Sequence, residues 1–138
     1  MEELRVEANV ENLSKVLAFV DDQLEMAECP MKAKIQIDIA VEEIFVNIAH
    51  YAYAPGTGDA LIRVRISEEP AKVLIDFEDS GIPYNPLEKA DPDVTLNVQE
   101  REIGGLGIFM VKKIVDEIGY EYADGKNRLT LGKLLRVS

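Results

Sequence analysis

Near the N-terminus Leu4, Val6 and Ala8 alternate with Arg5 and Glu7, which predicts a short half-buried strand at a sheet edge. The period then changes. Leu13, Val16, Leu17, Val20, Leu24 and Ala27 recur every three or four residues, predicting an amphipathic helix with Asn9 as N-cap and Pro30 as its stop. A second helix is predicted from Lys32 to about Tyr53. It carries Ile37, Val41, Ile44, Phe45 and Ile48 on its apolar side and ends before the turn signal Pro55-Gly56. Alternation returns twice, as Ile62, Val64 and Ile66 against Arg63 and Arg65, then Val73, Ile75 and Phe77 against Asp76 and Glu78. With Glu69-Pro70 between them, these runs read as an antiparallel hairpin.

Ser80 to Leu106 contains three prolines and no sustained periodicity. A connection of that length is uncommon in a compact domain and is typical of functional lids. From Gly107 to Ile118 helical spacing resumes through Ile108, Val111, Val115 and Ile118, with Lys112/Asp116 and Lys113/Glu117 placed for i,i+4 pairing. Strands around Tyr120–Ala123 and Leu129–Val137 flank the turn signal Asp124-Gly125. The order is strand, helix, helix, two strands, lid, helix, two strands. It predicts an α/β two-layer sandwich (α+β), with a mostly antiparallel sheet and the helices on one face.

At 138 residues, 47% apolar and 30% charged, the chain suits one globular domain spanning 1–138, folding alone or as a small oligomer such as a homodimer. No apolar run approaches the roughly 20 residues that span a bilayer. The acidic, mixed first residues are unlike a signal peptide, so a cytoplasmic protein is expected. The single cysteine, Cys29, has no second thiol for a disulfide or zinc site. With 26 acids against 15 bases, the net charge of −11 opposes nucleic acid and anionic membrane surfaces. An anionic ligand would have to be drawn in by local dipoles and a metal ion.

Glu43 and Asn47 are one helical turn apart and project from one face. An Asn oxygen is a hard ligand suited to Mg²⁺, and the neighbouring carboxylate can serve as a general base, although such pairs are also common on solvated helix faces. Asp79 shares the parity of Val73, Ile75 and Phe77, so it points to the apolar face, where a carboxylate needs a partner. An adenine amine would suit it, with Gly81 admitting a planar base close to the backbone; a turn through Ser80-Gly81 and Pro83 is the alternative. Gly104, Gly105, Leu106 and Gly107 open directly into the third helix, whose free amides attract an anion. They match neither a Walker A nor a GxGxxG pattern, and a glycine hinge is the competing reading. Asn127 has the inward parity of Leu129 and Leu131, placing it to reach a phosphate or the lid glycines, or to close a turn. His50 has no Cys/His partner at metal spacing and is read as a packed or capping residue.

EEIFVNIAHYAY, DSGIPYNP and GGLGIFMVKKIVDE follow the order and approximate spacing of the N, G1 and G2 boxes of GHKL ATPases. Over nearly its whole length the chain resembles the anti-sigma-factor serine kinases of bacterial partner-switching systems. The resemblance implies a Bergerat ATP-binding fold with ATP and Mg²⁺ as cofactors and an ATP lid over about 80–106. It implies Glu43 as catalytic base, Asn47 as the Mg²⁺ ligand and Asp79 as the adenine-binding acid, with Gly105 and Gly107 as phosphate-lid glycines. The partners it implies are an anti-sigma antagonist (STAS-type) protein and a sigma factor. One departure stands out: where these kinases commonly have His, four residues after the Asn, this chain has Tyr51. An ATP-gated module that sequesters a protein without phosphorylating it, and a simple ATPase, are the alternative functions.

Overall fold

The computed structural model describes residues 1–88 and 105–135. In chain order the elements are β1 (Glu2–Glu7), α1 (Leu13–Met26), α2 (Met31–Tyr51), β2 (Asp59–Glu68), β3 (Ala71–Asp79), α3 (Gly105–Ile114), β4 (Glu117–Ala123) and β5 (Lys126–Leu134). The strands form one antiparallel sheet in the order β1-β2-β3-β5-β4. The two-layer α+β sandwich is therefore the fold, and β1 does lie at an edge.

Period-two alternation sends Ala60, Ile62 and Val64 of β2, Val73, Ile75 and Phe77 of β3, and Leu129 and Leu131 of β5 to the helix-covered face. Against them pack Val16, Val20 and Leu24 of α1, Ile37, Val41, Ile44 and Phe45 of α2, and Val111 of α3. Burying each such side chain contributes about 1.5–3 kcal/mol, enough collectively to hold α2 flat across the sheet. Asn9 does act as a cap: its Oδ1 accepts from Asn12 N at 3.1 Å, closing a 3₁₀ turn that leads into α1. Asp124 and Gly125 both have positive φ, as a two-residue hairpin turn between β4 and β5 requires.

The third helix departs from expectation. It runs from Gly105 to Ile114, and Ile118, whose spacing fits the helix, lies in β4 instead. Asp116 N donates to Gly132 O at 2.9 Å, so the chain is captured by the sheet before another turn can form. The two expected i,i+4 acids bind elsewhere: Asp116 accepts from Leu134 N at 2.7 Å and Glu117 pairs with Lys72. Ile118 fits both periods, and pairing with Leu131 decides between them.

Asp76 and Glu78 point away from the helices, as parity requires, yet they are buried. On this outer face Glu78 is surrounded by Arg63, Lys126 and Arg128, while Asp76 accepts from Arg65 and from Thr130 Oγ1 at 2.6 Å. Long basic side chains lie over the acids and cover them. Among the described residues, no helix is long and apolar enough to cross a membrane.

Candidate functional site

A cleft opens between α2, the inner face of β3 and β5, and the segment that follows β3. Its walls are largely apolar, with Ile44, Ile48, Phe77, Ile108 and Leu129 among them, and Asn47, Asp79, Tyr120 and Asn127 supply polar groups. This mixture of apolar wall and a few fixed polar groups is what a small-molecule site needs.

Asp79, the last residue of β3, is buried at 7% exposure and lines the cleft. Its Oδ1 accepts from Gly81 N and from Asn127 Nδ2, both at 2.9 Å. Among the described residues Oδ2 accepts no hydrogen bond, so the carboxylate retains an acceptor for a ligand's N–H donor. Asp79 faces Asn127 across the β3–β5 ladder, which is why residues 48 apart in sequence meet.

Gly81 has a role other than admitting a base. A Cβ there would lie 2.1 Å from the Ala52 carbonyl oxygen at the end of α2, and Ile82 N donates to that same oxygen at 3.0 Å. The glycine is thus needed for the loop to dock on the helix C-terminus. Tyr53 braces the same junction, accepting from Ser80 N at 2.8 Å and donating to Asp59 O at 2.6 Å. Burial pushes the Tyr53 hydroxyl above the usual tyrosine range, which keeps it a donor. Tyr53 and Tyr120 are the residues that sequence reasoning missed: Tyr53 ends the EEIFVNIAHYAY motif and Tyr120 stood only as the start of a strand.

Asn127 stands beside Asp79 rather than extending toward an anion. Its Nδ2 also donates to Ile82 O at 2.9 Å and lies 3.4 Å from Gly81 O; its Oδ1 accepts from Tyr84 N at 3.1 Å and from the Tyr120 hydroxyl. The described part of the expected lid, 80–88, is therefore a pinned wall of the cleft. Residues 89–104, including Gly104, lie outside the described residues.

Glu43, half-buried on α2 one turn before the cleft residue Asn47, projects toward α3. A Cβ on Gly107 would sit 2.2 Å from Glu43 Oε2, so the glycine makes room for the carboxylate. Gly105, Leu106 and Gly107 form the first turn of α3, where backbone amides lack intrahelical partners and the dipole is positive. Asn47, one turn beyond Glu43, lines the cleft. Tyr51 lines the cleft too, its ring 6.5 Å from that of Tyr84, while His50 is exposed and edge-on to Tyr51 rather than packed. Among the described residues there is no group of three or more His, Cys, Asp or Glu side chains arranged to hold a metal ion.

Helices on one side of an antiparallel sheet, with a largely apolar cleft that holds a buried carboxylate and is lined by Ile108 near the start of α3, define a two-layer α+β domain with a small-molecule cleft. Residues 6–133 match the histidine kinase-like ATPase domain, and the chain belongs to that family. It is 26% identical over 120 residues to a serine-protein kinase RsbW of Staphylococcus aureus, covering 84% of this chain and 76% of that one. It is 24% identical over 100 residues to the serine/threonine-protein kinase BtrW of Bordetella bronchiseptica, covering 72% and 70%. Among solved structures, the RsbU and RsbW domains of Rv1364c from Mycobacterium tuberculosis superpose with a TM-score of 0.66 at 16% identity, over 98% of this chain and 33% of that chain. The histidine kinase AdeS of Acinetobacter baumannii superposes with a TM-score of 0.55 at 14% identity, over 99% and 70%. The solved structures support the fold; the curated relatives add that proteins of this kind include serine kinases.

Proposed function

We propose that this chain is an ATP-dependent serine protein kinase of the cytoplasm, which phosphorylates an anti-sigma antagonist protein of STAS type and also holds a sigma factor. The observation that carries the reading is the buried Asp79 carboxylate in a cleft that Asn47 and Ile108 also line, with Glu43 one turn from Asn47 and against Gly107 at the start of α3. Ala52, which docks the loop after Asp79, and Glu43 are nine residues apart along α2, roughly 13 Å. In this reading the base lies at Asp79 and the polyphosphate at the first turn of α3.

Asp79 Oδ2 accepts the adenine amine while apolar side chains cover the ring faces. The Gly105, Leu106 and Gly107 amides bind phosphate oxygens, supplying the local attraction that an acidic protein lacks in its long-range field. Asn47 would hold Mg²⁺, which neutralises charge on the phosphates when bound and suits a site with one amide ligand. The partner's serine hydroxyl attacks the γ-phosphorus, the bond to the β–γ bridging oxygen breaks, and ADP leaves. Glu43 orients the hydroxyl and accepts its proton.

Glu43→Gln keeps the side chain's size and removes the base. It should bind ATP as the wild type does and produce no phosphoserine on antagonist proteins of the same genome, read by mass spectrometry. Wild-type transfer in Glu43→Gln would remove Glu43 from the mechanism. Nucleotide-dependent binding by the wild type without phosphoserine would replace the kinase with a sequestering module.

A further inference from the structure

Asn127 spends its whole hydrogen-bonding capacity inside the protein. Its oxygen accepts from Tyr84 N and the Tyr120 hydroxyl, and its nitrogen donates to Asp79 Oδ1 and Ile82 O. A side-chain amide has two acceptor positions and two N–H donors, so nothing remains for a ligand. At 6% exposure the group is also shut off from water. Its direction is determined by its neighbours: Tyr84 N–H can only donate, and Ile82 O can only accept. Turning the amide over would set N–H against N–H and oxygen against both Asp79 and the Ile82 carbonyl.

Tyr120 reaches this amide from the neighbouring strand. It pairs with Leu129, two residues from Asn127 on the same face, a diagonal within reach of an aromatic side chain. Burial pushes the Tyr120 hydroxyl above its ordinary value, so it remains protonated and able to donate at neutral pH.

The geometry points to Tyr120 and Asn127 as positioning residues that set the base preference of the site, holding Asp79 with Oδ1 saturated and Oδ2 presented as an acceptor to a purine carrying an amine at C6. This deepens the ATP reading and rests on it. A 6-oxo purine places an oxygen where the amine would be, and a carboxylate held in this orientation repels it. Because the same amide grips Ile82 O and Tyr84 N, the 81–84 segment and the carboxylate are positioned as one unit.

Inosine triphosphate differs from ATP by bearing O6 in place of the 6-amine. Calorimetry of the whole chain with Mg·ATP and Mg·ITP, in the wild type, Tyr120→Phe and Asn127→Ala, tests the assignment. The wild type should prefer ATP by more than about tenfold, the scale of one charge-assisted hydrogen bond. Tyr120→Phe should cut that preference by about three- to tenfold and Asn127→Ala should remove most of it, each through weaker ATP binding with ITP little changed. Melting of the nucleotide-free variants identifies any that fail to fold, and Tyr120→Phe, which loses only one hydroxyl, keeps the test decisive. Equal weakening of both nucleotides would mean a general structural role, and a wild-type preference preserved in the variants would overturn the assignment while leaving the ATP reading intact. A wild type that binds neither nucleotide overturns the ATP reading and the assignment together.

Discussion

The Glu43 carboxylate occupies the space that a side chain at Gly107 would fill, with Oε2 2.2 Å from the position of the missing Cβ. Two helices that meet only after folding thus give the carboxylate its place at the first turn of α3. Glycine in that turn leaves room for the acid beside the backbone amides at the start of α3.

Gly107→Ala follows directly. Alanine is favoured in a helix by about 1 kcal/mol, and the group it meets is the far end of a flexible side chain, so the fold should survive. The melting temperature should stay within a few degrees. Glu43 must swing away, however, and a displacement of about 1 Å can cost on the order of 100-fold in rate. Single-turnover formation of phosphoserine should fall at least about tenfold, more than ATP affinity does. Equal losses in both would argue that Gly107 serves nucleotide binding alone.

Asp79→Asn turns an acceptor toward the base into a donor. Adenine nucleotides raise the melting temperature of a protein that binds them in its native state, and this shift should largely vanish in the variant. The loss of one charge-assisted hydrogen bond corresponds to about 10- to 100-fold in affinity. Thermal unfolding across a range of Mg·ATP concentrations measures it, and an unchanged shift would move base recognition away from Asp79.

Between α1 and α2, Lys34 lies 3.5 Å from Asp21 and 3.2 Å from Asp38, and the other oxygen of each acid is buried with no donor unless one of the two acids is protonated. Burial, with a hydrogen bond shared with Asp21, pushes Asp38 up to about 6 from the ordinary 3.8, against the pull of Lys34. The folded state holds this proton more tightly than the unfolded chain does. Its contribution to stability is complete below about pH 4 and is lost as pH rises through 6. Asp38→Asn should therefore be more stable than the wild type at pH 8, by about 1 kcal/mol after allowance for solvent screening of partly exposed groups. Denaturant unfolding at pH 8 and pH 4 checks this, since the advantage should disappear at the lower pH.

Glu78 provides the opposite case. Burial alone would raise its carboxyl, but Arg128, Lys126 and Arg63 outweigh that and hold it below the usual glutamate value. Its contribution is present above the ordinary value of 4.5 and is lost as pH falls through the lower folded one. Glu78 is buried, but Lys126 and Arg128 are about half exposed and water screens them once the acid is gone, so Glu78→Gln should destabilise by about 1 kcal/mol near pH 7. Urea unfolding should show that difference shrinking in acid; a change below about 0.5 kcal/mol at pH 7 would mean that the three bases are adequately solvated without the acid.

Local periodicity carried much of the architecture. Alternation alone placed Asp79 on the covered face, helical spacing put Glu43 and Asn47 one turn apart, and the glycines before Ile108 marked a helix start. Each of these follows from the geometry of a single element, which repeats within a few residues and so can be read from neighbours in sequence. The resemblance of three motifs to nucleotide-binding boxes added the order in which those elements would be used.

The register between elements decided the rest. Asn127 reaches Asp79, and Tyr120 reaches Asn127, only because β5 pairs with both β3 and β4 at one particular alignment. The same alignment captured Ile118 for β4 and ended α3 at Ile114. Gly81 against Ala52 and Gly107 against Glu43 are likewise contacts between separate elements, where a hydrogen atom fits and a methyl group does not. A strand's own sequence specifies which side each residue faces but not which residue will stand opposite. That choice is made by the packing of the whole sheet against α1, α2 and α3, a global sum that no local window contains.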